Sequence, residues 1–96
     1  MTTIRSTYLG QLRVEATHMA SGITLISDAP IDNKGLGRSF SPTDLVCVAL
    51  GNCMMTLMGI LADREQIDLT SVTFDTIKIM AKKKKKIAEI QITFDM

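Results

Sequence analysis

Tryptophan is absent from this chain, and its aromatic residues are one tyrosine and three phenylalanines. So few rings argue against a stacking platform for single-stranded nucleic acid. Histidine occurs once, at His18, and no soft ligands cluster near it in the sequence. That argues against a metal site. A dominant charge is missing too: 11 Lys and Arg stand against 10 Asp and Glu, a formal net charge of +1. Such a balance gives no general pull toward nucleic acid or a membrane surface. Met1 to Gly10 hold no apolar signal-peptide core. Two cysteines are too few for a secreted disulfide framework. The expected setting is cytoplasmic and reducing, where a thiol stays free.

The chain organises around the stretch from Ser41 to Asp63. Leu45 to Ala62 contains no charged residue and holds both cysteines, Cys47 and Cys53. Ser41 is a helix cap, Pro42 suits the first helical position, and Asp44 favours the positive end of the helix dipole. The helix is expected to end near Glu65 or Gln66. A run of this length reaches the lower limit for a membrane span, about 17–18 residues. Gly51, Asn52, Thr56 and Gly59 interrupt it, and no Lys or Arg cluster flanks it to set a topology. A helix apolar nearly all round is also what the buried centre of a soluble protein looks like. No membrane partner is expected.

Around the helix the sequence alternates with period two, which means strands. Residues 2–18 alternate throughout, with Gly10 marking a bulge or a hairpin corner. Met19 to Gly22 is turn-like, and Ile23 to Ser27 is a second short strand, antiparallel to the first. Asp28 to Phe40 carries Pro30, Gly35, Gly37, Asp32 and Asn33, so it is a loop. Loops of that length are often functional. Asp68 to Met80 is a third strand. Its apolar residues change parity between Phe74 and Ile77, suggesting a bulge or face change near Asp75–Thr76. Lys82–Lys86 form a polar connection. Ile87 to Met96 is the cleanest strand, with Ile90, Ile92, Phe94 and Met96 on one face.

The expected architecture is therefore α+β, in the order β-β-α-β-β. A mainly antiparallel sheet packs on one long helix, in a single domain spanning 1–96. A chain this small buries only about 60–70% of its unfolded surface. Its apolar helix has more surface than one small sheet covers, so a second copy of the chain is the expected partner.

The chemistry on offer is mainly that of the thiols. Cys47 and Cys53 on one helix are separated by about 9 Å of rise and about 120° of rotation. A disulfide requires Cα atoms within about 7 Å, so they do not pair while the helix is intact. Each is ordinary core material on its own, since free cysteine is among the most buried residue types. Cys53 has the better claim to chemistry, because Gly51 and Asn52 beside it allow close approach. Cys47 sits between Val46 and Val48, as a packing residue would. Arg13 is the nearest cation type on the first strand. Beside a thiolate it would favour the nucleophilic form; otherwise it is an exposed strand arginine. His18 suits a strand end, and Asp44 suits a cap. Lys82–Lys86 suit a solvated connection better than a nucleic-acid patch.

Phe40-Ser41-Pro42-Thr43-Asp44-Leu45, followed by Ala49-Leu50-Gly51-Asn52-Cys53, resembles the helix start and cysteine of the OsmC/Ohr family. These are the osmotically inducible and organic-hydroperoxide-resistance proteins. The similarity extends to Gly22-Ile23 with Asp28-Ala29-Pro30, to Gln66-Ile67-Asp68-Leu69 with Val72, and to Lys85-Lys86-Ile87-Ala88-Glu89-Ile90. The resemblance implies an intertwined homodimer with its central helices at the interface. It implies a thiol peroxidase that reduces organic hydroperoxides, with no cofactor and an external thiol reductant. By position Cys53 matches the peroxidatic cysteine, and Arg13 falls near the activating arginine. The alternative within the family is a non-enzymatic, stress-related domain that binds a small apolar ligand. Two departures stand out. Active members carry Glu directly after the proline, where this chain has Thr43. Their resolving cysteine lies in a C-terminal segment that this sequence, ending at Met96, does not contain.

Overall fold

The computed structural model describes residues 1–31, 34–82 and 86–95. It contains β1 (Ile4–Gly10), β2 (Arg13–His18), β3 (Thr24–Asp28), α1 (Pro42–Arg64), β4 (Thr73–Met80) and β5 (Ile87–Asp95). The chain divides into two compact units, Met1–Pro42 and Thr43–Met96. The fold is α+β with antiparallel strands and one long helix, as expected from the sequence.

One more strand is present than the period-two pattern implied. Residues 2–18 make two strands, β1 and β2, folded back on each other at Gly10. The corner runs through three left-handed residues, Gly10, Gln11 and Leu12, with φ of 82°, 55° and 61°. Glycine enters that region without strain, whereas the next two residues do not. The Tyr8 hydroxyl accepts a hydrogen bond from the Leu12 backbone N–H at 3.2 Å, which helps hold the turn. Alternation continues across the corner, so period two alone could not separate one bent strand from a hairpin.

The first unit is a three-stranded antiparallel sheet in the order β1-β2-β3. The second strand read from the sequence falls at β3, shifted by one residue. A turn at Met19–Gly22 joins β2 to β3, closed by the His18 N–H donating to the Ile23 carbonyl and the Gly22 N–H donating to the His18 carbonyl. His18 is a strand-end residue there, its Nδ1 2.6 Å from the Ser21 hydroxyl. The loop after β3 is tied to its neighbours by backbone bonds. The Asp28 N–H donates to the Phe40 carbonyl, and the Ala29 N–H donates to the Leu12 carbonyl.

The second unit combines α1 with the β4-β5 hairpin. Asp44 lies in the first turn of α1 and Arg64 in its last, so both ends complement the helix dipole. Cys47, Gly51 and Ala62 are its buried residues. They recur at helical spacing and are all small. Gly51 is required by close approach: a Cβ there would stand 2.8 Å from Cε2 of Phe74 on β4. Phe74 in turn packs on its cross-strand partner Phe94, with ring centroids 4.9 Å apart.

In β5 the expected face holds. Ile90, Ile92 and Phe94 are half-buried while Glu89, Gln91, Thr93 and Asp95 are exposed; Met96 lies outside the described residues. In β4 the pattern differs from expectation. Regular structure starts at Thr73, because Asp68 to Val72 form a turn in which the Asp68 carboxylate accepts from the Thr70 N–H and hydroxyl. The face change expected at Asp75–Thr76 does not occur. The register with β5 runs unbroken from Thr73 to Ile79, and the irregularity comes at Ile79/Met80. Phe74, Lys78 and Met80 share the half-buried face, leaving Ile77 and Ile79 exposed. The lysine displaces isoleucine from that face because its ammonium group has an acidic partner on α1. Of the lysine connection, Lys82 and Lys86 are exposed, and the Ala81 N–H donates to the Lys86 carbonyl; Lys83–Lys85 lie outside the described residues.

Candidate functional site

The two cysteines have opposite environments. Cys47 is 4% exposed, on the face that carries Gly51 and Ala62. Cys53 is exposed and free. It belongs to a second helical row whose large members, Val46, Leu50, Met54, Leu57 and Leu61, are exposed as well. Six positions of helix separate the cysteines by about 120°, which places one thiol on each row. The apolar row around Cys53 has almost no polar decoration. Thr56 beside it turns its hydroxyl back to the Asn52 carbonyl at 2.8 Å. A thiol so placed can meet a reagent that prefers apolar surroundings.

Arg13 lies in the other unit, as the first residue of β2. It pairs across the ladder with Asp28, the last residue of β3. Its Nε stands 3.8 Å from Asp28 Oδ2, an ion-pair separation beyond hydrogen-bond length. The same oxygen accepts from the backbone N–H of Arg38 at 3.0 Å and from its Nε at 3.2 Å. The Asp28 side chain is fully buried, while those of Arg13 and Arg38 are 27% and 44% exposed. Burial pushes the Asp28 carboxyl upward, but the Arg38 hydrogen bonds and the charges of Arg38 and Arg13 outweigh it and hold the pKa below 3.8. Asp28 is therefore a carboxylate at neutral pH. Its ionic contribution to folding is present above the ordinary carboxylate range and is lost as pH falls through the depressed folded value.

A second charged cluster holds the start of α1. Lys78 Nζ lies 2.8 Å from Asp44 Oδ1 and donates to the Thr43 hydroxyl at 2.9 Å. The position after the proline, where the resemblance implies Glu, is thus occupied by a threonine that meets a lysine. Sequence reasoning missed both clusters. Asp28 read as the first residue of a loop and Lys78 as a strand lysine, and neither reveals its cross-strand or strand-to-helix partner without the register. An acidic residue closing the apolar run Leu25-Ile26 was the one available signal for Asp28. Among the described residues no three His, Cys, Asp or Glu side chains gather as a metal site would. A groove of about 600 Å³ at the end of α1, lined by Met55, Gly59, Ala62 and Asp63 with the turn Gln66–Thr70, contains neither cysteine.

These features define an α+β protein built on a long apolar helix that carries one buried and one exposed thiol. The chain is similar along 98% of its length to a crystal structure from Psychrobacter arcticus 273-4, assigned to osmotic stress induction and the detoxification response. The identity is 42%, the TM-score 0.94, and the match spans 69% of that protein. No protein-family model and no curated protein matches the chain. The chain belongs to the OsmC-like family of stress-response proteins.

Proposed function

We propose that this protein reduces organic hydroperoxides through Cys53, in the cytoplasm, as a homodimer. The observation that carries the reading is the exposure of Cys53 on an apolar helix row while Cys47 is buried. In the proposed step the Cys53 thiolate attacks the outer oxygen of the O–O bond. The O–O bond breaks, the alkoxide leaves and takes a proton as the alcohol, and the sulfur becomes a sulfenic acid. The buried Cys47 is poorly placed to resolve it. An external dithiol completes the cycle: its first thiol condenses with the sulfenic acid, releasing water, and its second displaces Cys53 as the free thiol. Arg13 is the activating cation in this reading, an assignment that rests on the resemblance. Exposed apolar side chains along the Cys53 row support both the second copy of the chain and a preference for apolar peroxides over hydrogen peroxide.

The competing reading is a non-enzymatic member of the family that binds a small apolar ligand. Thr43 in place of Glu favours it. Intact-mass measurement after exposure to cumene hydroperoxide separates the two. The expected result is a gain of about 16 Da, one oxygen, or a thiol adduct when a thiol is added. Both vanish in Cys53→Ser. A folded protein whose Cys53 stays unmodified would leave the binding reading in place.

A further inference from the structure

We propose that the groove at the C-terminal end of α1 binds a small organic cation, an ammonium group carried on a short apolar tail. The groove lies wholly within the Thr43–Met96 unit and contains neither cysteine, so the site depends on neither reading of Cys53.

Three residues of its lining break a local rule. Gly59 stands inside α1, where glycine is less stable than alanine. Close packing does not require it: unlike at Gly51, a Cβ at this position meets nothing within 4 Å. Asp63 places a carboxylate in the last turn of the helix, at the negative end of its dipole. Gln66 holds a φ of 58°, in the left-handed region, just past the helix end where glycine is the usual choice. Helix stability explains none of the three, and all three line one groove. Local choices that stability does not explain gather where a protein functions.

The rest of the lining indicates what would fit. Met55, Gly59 and Ala62 recur at helical spacing and supply an apolar surface, joined by Ile67 and Leu69 from the following turn. At about 600 Å³ the groove has the size of a small-molecule site. Its charges are of one sign: Asp63 and Asp68 line it, and no Lys, Arg or His does. The Asp68 carboxylate accepts from the Thr70 hydroxyl and N–H, which hold its pKa below 3.8 and keep it ionised at neutral pH. Both bonds fall on Oδ1, leaving Oδ2 to a ligand. Two carboxylates beside an apolar surface suit a cation with a tail. A metal ion is a poorer match, because calcium takes about 6–8 oxygen ligands and among the described residues no three His, Cys, Asp or Glu gather.

The test titrates the 15N-labelled whole chain with n-hexylammonium chloride. Sodium hexanoate is the control, similar in length and opposite in charge. Hexylammonium is expected to shift the amides of Gly59, Asp63, Gln66 and Asp68 saturably, and hexanoate to bind at least about tenfold more weakly. Gly59→Leu fills the groove and should weaken hexylammonium binding at least about tenfold. It should fold, since its side chain enters open space. Asp63→Asn should weaken binding by up to about fivefold, the scale of one exposed ion pair, and the effect should shrink in high salt. Gly59→Ala should raise the urea midpoint; a lowered midpoint would assign the glycine to packing and overturn the proposal. Equal affinity for the two ions, shifts centred elsewhere, or a folded Gly59→Leu that binds like the wild type also overturns it. So do shifts at Gly59 and Gln66 that follow protein concentration alone, which would give the groove to a second copy of the chain. Should Gly59→Leu fail to fold, Asp63→Asn decides, and unchanged affinity there overturns the proposal.

Discussion

The two faces of α1 are both uncharged between Leu45 and Ala62 and have opposite fates. One carries Cys47, Gly51 and Ala62, all small and all buried. The other carries Val46, Leu50, Met54, Leu57 and Leu61, all larger and all exposed. Charge does not sort these faces, and the larger, more apolar side chains are the ones left outside; side-chain size follows the division. Small residues let β4 approach closely enough for Phe74 to rest on the helix backbone at Gly51. Large residues face outward, where a second chain would supply the cover. The same sorting gives each thiol its character. The sharpest way to break the comparison is to exchange the thiols one at a time. Cys53→Ser is expected to lower the rate of hydroperoxide reduction by at least about a thousandfold, as loss of a nucleophile does. Cys47→Ser should leave that rate nearly unchanged and instead cost about 1–2 kcal/mol of stability, the scale of placing a hydroxyl in an apolar site. Peroxide consumption and urea unfolding of both variants check the pair.

Next in size is the outer face. Leu57→Glu puts a carboxylate in the middle of the exposed row, and on a lone chain an exposed substitution costs about 0.5 kcal/mol or less. Where the row is buried against a second copy, the charge should weaken association by about 3 kcal/mol, over a hundredfold in dissociation constant. Sedimentation velocity across a concentration series distinguishes the two. The inner face answers to a different change. Gly51→Leu drives a side chain into Phe74, which is itself stacked on Phe94, and overpacking of this kind costs about 1–3 kcal/mol. Gly51→Ala should be milder, because the helix propensity gained, about 1 kcal/mol, opposes the displacement of the ring. Equal losses at Gly51 and Leu57 in a monomeric sample would mean that the two faces are not distinct.

How far the sequence could foresee these faces follows from what each signal contains. Ile90, Ile92 and Phe94 announce their shared face because a single strand carries its own period. The helix announces its start through Ser41 and Pro42, and the separation of Cys47 from Cys53 follows from helical geometry alone. The hairpin at Gly10 is harder, since alternation continues across the corner. β4 is harder still. Ile77 and Ile79 suggest a change of face, but they are exposed while Lys78 takes the half-buried position. A lysine at a half-buried position becomes reasonable only once Asp44 is known to lie opposite it. Asp28 poses the same difficulty, since its partners Arg13 and Arg38 lie 15 and 10 positions away on either side. Local pattern reports which way a chain segment faces. It does not report the pairings that a register creates.

The smallest effect is expected at Lys78, and it tests why β4 departs from its hydrophobic pattern. The Lys78–Asp44 pair is short, at 2.8 Å, but the two side chains are 21% and 41% exposed. Pairs in such a setting contribute about 0.2–1 kcal/mol, because water and salt screen them and two long side chains must be ordered. Lys78→Met keeps an aliphatic stem on the half-buried face shared with Phe74 and Met80 and removes the ammonium group with its bonds to Asp44 and Thr43. Its cost should therefore be below about 1 kcal/mol in low salt and should shrink further as salt is added. Lys78→Ala removes the stem as well, and the difference between the two variants is the packing share, which salt should not change. Asp44 keeps its favourable place in the first turn of the helix in both. Urea unfolding of the two variants at low and high ionic strength makes the separation. If Lys78→Met proves more stable than the wild type, the charge is a burden on this face and the ion pair does not explain why lysine, not isoleucine, occupies it.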